Sequence, residues 1–426
     1  MRTDRPTSLP SLLIAVLTAG LIPALLAGCP GGGEPSGGGP DGRTIDAGPG
    51  AIDAAVDAPT ATATVVRVHY PAGAHTMSLR GSAAPLSWTA GTALTAGADD
   101  TWTFTVDDLA APLEVKPLLD DATWSRGVNY HVAPGQTVDL YPHFTSTRGQ
   151  VVTLIQRFHS AALNDDRVIH AYLPPSYGEN TRARYPVVYM HDGQNLFDPA
   201  TSFGGVEWRV DEALDAAGES GRCSTGAACN NDGECGAASK CLTTREAIVV
   251  GIDNAPDRIW ELTPTRDAEI GDGGGADAYL TMVAQELKPA VDTMLRTAPG
   301  VGDTAIMGSS LGGLVSAYAG VTRPAVFGLI GAMSPSTWWD NRVILARVAA
   351  TGATPRPQRV YVDSGNAGPS MDDVANTNML SAAYATLGYV EGSSLLHVVQ
   401  PGASHSEQFW AQRFPAAAFF LLGPRP

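Results

Sequence analysis

The sequence predicts an α/β fold, a mostly parallel central sheet flanked by helices, preceded by a small all-β sandwich. Three observations carry this. From about residue 150 to 424, short apolar runs alternate with stretches of helical periodicity. Those runs are continuously apolar, as strands covered on both faces require. From about 63 to 145 the runs instead alternate polar with apolar and recur every 8–12 residues or so between Gly, Pro and Asp turns, the habit of sandwich strands.

At 426 residues and 44% apolar content, the chain can fill the cores of two or three domains. Its net charge of −16 argues against nucleic-acid partners, which need basic patches, and favours solubility.

Arg2 and Arg5 precede an apolar stretch from Leu12 to Leu26, which ends in Leu26-Ala27-Gly28-Cys29. A charged start, an apolar middle and small residues at a cleavage point read as an export signal over 1–29. The run is short for a membrane span, and Pro23 interrupts it. The Leu-Ala-Gly-Cys ending resembles a bacterial lipobox. That resemblance implies lipidation of Cys29 and a place in the bacterial cell envelope, periplasmic or at the surface, with the membrane as partner through the anchor. Residues 30–62, rich in Gly, Asp, Ala and Pro, cannot bury enough surface to fold and read as a tether of roughly 30 Å.

Within 63–145, Thr64–Tyr70, Trp102–Val106 and Leu113–Leu118 are the clearest strands. The succession "HTMSLRGSAAPLSW…GTAL…DDTWTFTV…LEVKPLL…WSRGVNYHV" resembles the early-set, immunoglobulin-like modules related to glycogen-binding domains. Trp88, Trp102 and Trp124 are either core residues, the commoner fate of buried-strand tryptophans, or a sugar-stacking platform; core is the expectation.

In the larger part the expected strands are Val151–Phe158, Val168–Leu173, Val187–Met190, Ala247–Ile252, Thr304–Met307, Phe327–Ala332, Arg359–Val362 and Leu395–Val399. Expected helices are Val210–Ala217, Tyr279–Thr297, Leu311–Ala319, Val374–Leu387 and Ser406–Leu422. Between a helix and the strand at 247 lies an insertion, 222–242, holding Cys223, Cys229, Cys235 and Cys241. Four cysteines in an exported chain read as two disulfides, with three connectivities open. Their even spacing, without a nearby histidine, is not a zinc pattern. Gly271–Gly275 lacks the Lys-Ser/Thr of a phosphate loop and reads as a mobile loop.

The chemistry centres on Ala305-Ile306-Met307-Gly308-Ser309-Ser310-Leu311-Gly312-Gly313. An apolar strand, a Gly-x-Ser-x-Gly turn and a helix, in that order, form the context of a nucleophile elbow. Gly308 and Gly312 leave room for a sharp turn that presents Ser310. A serine needs a base, and in this context base and acid follow it in the order Ser, Asp or Glu, His. Only His397 and His405 follow Ser310; His397 sits inside a strand, whereas His405 lies in the loop before the last helix. The acid belongs in the loop after the strand at 359, where Asp363, Asp372 and Asp373 compete. Asp372 is favoured because the loop can carry it towards His405. An oxyanion hole needs two backbone N–H groups. Leu311 supplies one, and the loop Met190–Phe197 the other, at Gln194 or alternatively Gly193.

The motifs "PVVYMHDGQNLFD", "AIVVGIDN", "YLTMVAQELKPAVDTMLRT", "IMGSSLGGLVSAYAG", "FGLIGAMSPSTWW" and "GASHSEQFWAQRFPAAAFFLL" occur in order. Together they resemble the putative-esterase family of α/β-hydrolases, which includes esterase D-type, enterochelin-esterase-like, feruloyl and acetyl xylan esterases. The resemblance implies a serine hydrolase of carboxylic esters in which Ser310 and His405 act, without metal or organic cofactor. It tilts Trp338 and Trp339 towards a substrate pocket for a sugar or aromatic-acid ester. Arg258 and Glu261 are expected either to pair with each other near the mouth or to reach the substrate. Two alternatives remain: an acyltransferase, or a carbohydrate-binding surface lipoprotein with an idle hydrolase domain.

Overall fold

The structure, a computed structural model, describes residues 62–223, 226–236, 239–352 and 356–425. The export signal, Cys29 and all of the tether but Thr62 lie outside the described residues.

Each of the eight apolar runs in the larger part becomes a strand of one eight-stranded sheet. In chain order these are β1 (Gln150–Ser160), β2 (Asp165–Leu173), β3 (Val187–His191), β4 (Ile248–Ile252), β5 (Thr304–Ser309), β6 (Leu329–Met333), β7 (Arg359–Gly365) and β8 (Leu395–Gln400). Their spatial order is β1-β2-β4-β3-β5-β6-β7-β8. β2 runs antiparallel to β1 and β4, and pairing from β4 through β8 is parallel. Every residue of β3, β4, β5 and β6 is buried, which is why these runs carry no polar alternation. Two apolar cores cover the two faces. One is built on Tyr189, Ile306, Leu314 and Phe327, the other on Met190, Met307, Tyr361 and Phe414.

The flanking helices are α1 (Val210–Glu219), α2 (Ala276–Thr281, Met282–Leu287 and Lys288–Met294, with a π turn in the middle segment), α3 (Leu311–Thr322), α4 (Trp339–Ala349), α5 (Val374–Thr386) and α6 (Glu407–Leu422). α4 is not among the sequence-based expectations. Asp340, Asn341 and Arg342 at its start take positive φ, so its apolar periodicity begins only at Val343. The strand expected from Phe327 begins at Leu329, because the Phe327 N–H bonds back to Arg323 O in a turn that follows the helix ending at Thr322.

Residues 63–140 form two sheets around a core of Val68, Leu79, Val115, Tyr130 and Leu140. The expectation that its three tryptophans are core is corrected for two of them. Trp102 packs against this core and donates its indole N–H to Tyr70 O, whereas Trp88 and Trp124 are exposed, with ring centroids 6.2 Å apart.

The sandwich is bonded to the larger part along a polar seam. Asn180 Nδ2 donates to both His69 O and Pro142 O at 2.9 Å. Glu179 accepts from Tyr70 OH and from the backbone of Phe144, Thr145 and Ser146. Arg126 pairs with Glu219, and Arg182 with Asp100. Of the three open connectivities, the cysteine-rich insertion adopts Cys223–Cys235 and Cys229–Cys241.

Candidate active site

Ser310 sits between β5 and α3 with φ 58° and ψ −121°. A side chain other than glycine rarely adopts such a backbone, and the surroundings must hold it there. They do so with hydrogen bonds from Ser310 N–H to Met333 O (3.1 Å) and from Ser336 N–H to Ser310 O (2.9 Å). The turn also needs its glycines. A Cβ on Gly308 would come within 2.8 Å of His191 Cδ2 and 3.1 Å of Gly312 C, and one on Gly313 within 2.7 Å of Met333 O.

His405 and Asp372 meet at the C-terminal ends of β7 and β8, with Nδ1 to Oδ1 at 2.6 Å. Asp372 is 0% exposed, while the His405 ring keeps 36% of its surface open and packs edge-on against Trp410. The other oxygen of Asp372 accepts from Ser334 Oγ (2.7 Å) and Gly365 N–H. Burial alone pushes this carboxyl up, but the hydrogen bonds from His405, Gly365 and Ser334 outweigh it and hold the group below the usual aspartate range. With Nδ1–H donating to the carboxylate, Nε2 is left as the acceptor. The two loops are tied together. Asn366 and Ala367 N–H both bond Ala403 O, and a Cβ on Gly365 would lie 2.0 Å from that oxygen.

The segment after β6 lies between Asp372 and Ser310 and bonds to both. Ser334 Oγ donates to Asp372 and accepts from Trp410 Nε1 (3.0 Å) and Arg413 (2.7 Å), which uses its full capacity. Two residues on, Ser336 Oγ lies 3.3 Å from Ser310 Oγ. Among the described residues this is the side-chain contact that Ser310 Oγ makes, and it is not hydrogen-bonded to the His405 ring.

The other acid candidates are engaged elsewhere. Asp363 is fully buried, paired with Arg413 Nε at 2.9 Å and bonded by Tyr361 OH and Ser334 N–H. Burial raises its pKa against the pull of Arg413. Asp373 accepts from Asn376. His397 lies on β8, the sheet edge, and its Nε2 meets no partner among the described residues.

On the opposite side, the β3 loop turns at Asp192, which has φ 56°, and Gly193 backs onto β4 so closely that a Cβ would lie 2.6 Å from Ile252 N. The Gln194 and Leu311 N–H groups take no acceptor among the described residues. Asp192 binds Arg258 through two hydrogen bonds (2.6 and 2.7 Å) and Asn254 Nδ2 at 2.8 Å. The expected Arg258–Glu261 pair is therefore corrected, because Glu261 is buried against Arg167 instead. His191, buried beneath the elbow, bridges Tyr279 OH (2.7 Å) and Ser316 Oγ (3.1 Å); burial lowers its pKa to about 4, so it stays neutral at pH 7.

The tryptophan pair also divides. Trp338 is 44% exposed, but Trp339 is buried, donates its indole N–H to Thr265 O and packs over Gly273. Trp339 is a core residue and not a pocket wall. Sequence reasoning missed Ser334, Trp410, Arg413 and the Asp192–Arg258 pair, because each matters through a contact between distant segments. The repeated polar residues in "SPSTWW" were the one available signal.

A family model described as "Putative esterase" matches residues 160–421. Among curated relatives, an uncharacterized protein, YbbA, of Bacillus subtilis is 24% identical over 263 residues, 59% of this chain and 91% of the relative. A siderophore enterobactin esterase of Emericella nidulans is 39% identical over 112 residues, 23% of this chain and 37% of the relative. A siderophore triacetylfusarinine C esterase of Aspergillus fumigatus is 30% identical over 178 residues, 40% of this chain and 50% of the relative. The matches thus span half or less of the two siderophore esterases.

Proposed function

This chain belongs to the putative-esterase family, and from that premise we propose that it is a serine carboxylic-ester hydrolase working through an acyl-enzyme. The observation that carries the reading is the strained, glycine-walled turn at Ser310, joined through the 333–336 segment to buried Asp372 and its partner His405.

In the proposed cycle, Ser310 Oγ swings from Ser336 to His405 Nε2, which takes its proton as the oxygen attacks the ester carbonyl. Such contacts commonly tighten only with substrate bound. The negative charge on the carbonyl oxygen is met by the unpaired Leu311 and Gln194 N–H groups. Asp372 holds the imidazole in its tautomer and stabilises its charged form. His405 then protonates the leaving alcohol, and water, deprotonated by the same ring, cleaves the acyl-serine to acid and free serine. No step calls on a cofactor.

For substrate we propose esters of aromatic or sugar-linked acids. Exposed Trp338 lies two residues from Ser336, and Phe203 is exposed on a loop bonded to Asn195 next to Gln194, so both offer apolar surface at the mouth. The siderophore esterases among the relatives widen the panel to test. A fluorophosphonate probe followed by peptide mapping tests the nucleophile. Label on Ser310, and p-nitrophenyl acetate turnover lost in Ser310→Ala, is the expected result; label elsewhere, or equal turnover in the variant, defeats it.

A second reading concerns the sandwich. The exposed Trp88 and Trp124, with Arg80 5.1 Å over the Trp124 ring, favour a sugar-stacking face. Retention on an insoluble polysaccharide that survives Trp88→Ala with Trp124→Ala would dismiss it. We further propose export and lipid anchoring at Cys29, tested by fatty-acid labelling of wild type against Cys29→Ser.

A further inference from the structure

Away from the catalytic corner, three metal-ligating side chains meet where the sandwich touches the disulfide loop. Glu114 and His131 sit directly opposite each other on paired antiparallel strands, Leu113–Leu119 and Tyr130–Val132, and therefore project from the same face. Asp232 comes from the cysteine-rich insertion, on a turn between Cys229 and Cys235, each of which is bonded to another cysteine of the loop. One ligand atom from each of the three lies within 4.8 Å of the others, and His131 Nε2 is 2.9 Å from Asp232 Oδ1.

The hydrogen bonds around the cluster orient it without saturating it. Glu114 Oε1 accepts from Asn129 Nδ2 (3.2 Å) and from Asp232 N–H (3.0 Å), and Asp232 Oδ1 accepts from Cys241 N–H (2.7 Å). Glu114 Oε2 and Asp232 Oδ2 take no donor among the described residues. Lys116, two residues along the same strand, directs its ammonium to Gly127 O and pairs with neither carboxylate. Two carboxylates and an imidazole thus adjoin with no cation bonded to them. The N–H donors fix one oxygen of each carboxylate, as outer contacts do around bound metals.

We propose that Glu114, His131 and Asp232 bind a divalent transition ion of the zinc class, which fastens the sandwich to the disulfide loop. The imidazole selects such an ion over calcium or magnesium, which prefer oxygen alone. Ligand atoms about 2.0–2.2 Å from a shared ion lie at most ~4.4 Å apart, so a small carboxylate rotation completes the set, with water in the remaining positions. An ion on His131 Nε2 takes that nitrogen's lone pair, so the bound ring carries its proton on Nδ1. None of the three side chains contacts Ser310, Asp372 or His405, so the ion acts on stability and not on turnover.

The test strips the full chain with EDTA, adds zinc sulfate, and measures both zinc retained per chain after gel filtration and the thermal midpoint. Wild type is expected to retain one zinc and gain a few degrees at a hundredfold excess over Kd, with ester turnover unchanged. Glu114→Gln keeps an oxygen for the Asn129 and Asp232 donors but loses the charge, and His131→Ala loses the ring. Both are expected to retain no zinc and show no shift. If His131→Ala fails to fold, Glu114→Gln decides alone. No retention by wild type, equal retention by Glu114→Gln, or a shift with calcium and none with zinc would each overturn the proposal.

Discussion

Two histidine–aspartate pairs in this molecule look alike by distance and differ in everything else. His405–Asp372 closes at 2.6 Å and His131–Asp232 at 2.9 Å. The first aspartate has no exposure, has both oxygens engaged, and lies one short segment from a strained serine. The second is 30% exposed, holds a loop to a sheet, and has no nucleophile among its contacts. The chain also pairs His69 with Asp139, His75 with Asp120, His159 with Asp166 and His170 with Asp253. In an acidic protein such pairs arise readily, so proximity of imidazole to carboxylate is poor proof of catalysis. What separates the His405–Asp372 corner is a neighbouring serine held in a costly backbone conformation by hydrogen bonds to Met333 and Ser336.

The sharpest way to break the contrast is one substitution at two places. Asp372→Asn is expected to cut kcat on a p-nitrophenyl ester about 10⁴-fold, since the amide misorients the imidazole tautomer. Asp232→Asn should change the same rate less than about twofold. Comparable losses in both would show that the seam and the site are one system.

Next in size is Asp363→Asn. It strips a buried partner from Arg413 and is expected to cost about 3–5 kcal/mol in urea unfolding, while turnover per folded molecule falls less than about tenfold. A loss matching that of Asp372→Asn, with stability intact, would transfer the acid's role to Asp363.

The third contrast is in pH. His191 is buried neutral, with its pKa lowered to about 4 from 6.5. The unfolded chain therefore binds more protons between those values. This group's contribution to stability is full above pH 6.5 and is lost as pH falls towards 4, by roughly 3 kcal/mol in total. His191→Asn should flatten the unfolding free energy over that window; an unchanged slope would remove the buried histidine from the account.

The smallest expected effect is Trp338→Ala, a drop of about tenfold or less in kcat/KM for an aromatic-acid ester relative to the acetyl ester. An equal drop for both esters would make Trp338 a structural residue and not a selective one.

The local signals in the chain were strong where one segment decides the outcome. The runs that became β3 to β6 are apolar throughout because those strands are covered on both faces, and Gly308 and Gly312 announced a turn that only small residues can make. The weak points were those where two segments decide. Trp338 and Trp339 are identical in type and adjacent, yet opposite in exposure, because the side chains of successive residues leave the backbone in different directions and only one meets Gly273 and Thr265 O. Arg258 and Glu261 were expected to pair with each other near the mouth or to reach the substrate, but each found a partner across the fold, in Asp192 and Arg167. Helix α4 was hidden by its polar first turn.

By itself the sequence determined the strand-and-helix succession, the serine at the glycine-walled turn and the order in which Ser310, Asp372 and His405 follow one another. Periodicity, glycine placement and chain order are all properties of a single chain read along its length. The tertiary structure set Asp372, and not Asp363 or Asp373, against His405, paired the cysteines, and brought Glu114, His131 and Asp232 together. Each of those outcomes turns on which oxygen, sulfur or nitrogen ends within hydrogen-bonding or covalent reach after residues tens to hundreds of positions apart have packed, and no local pattern encodes that distance.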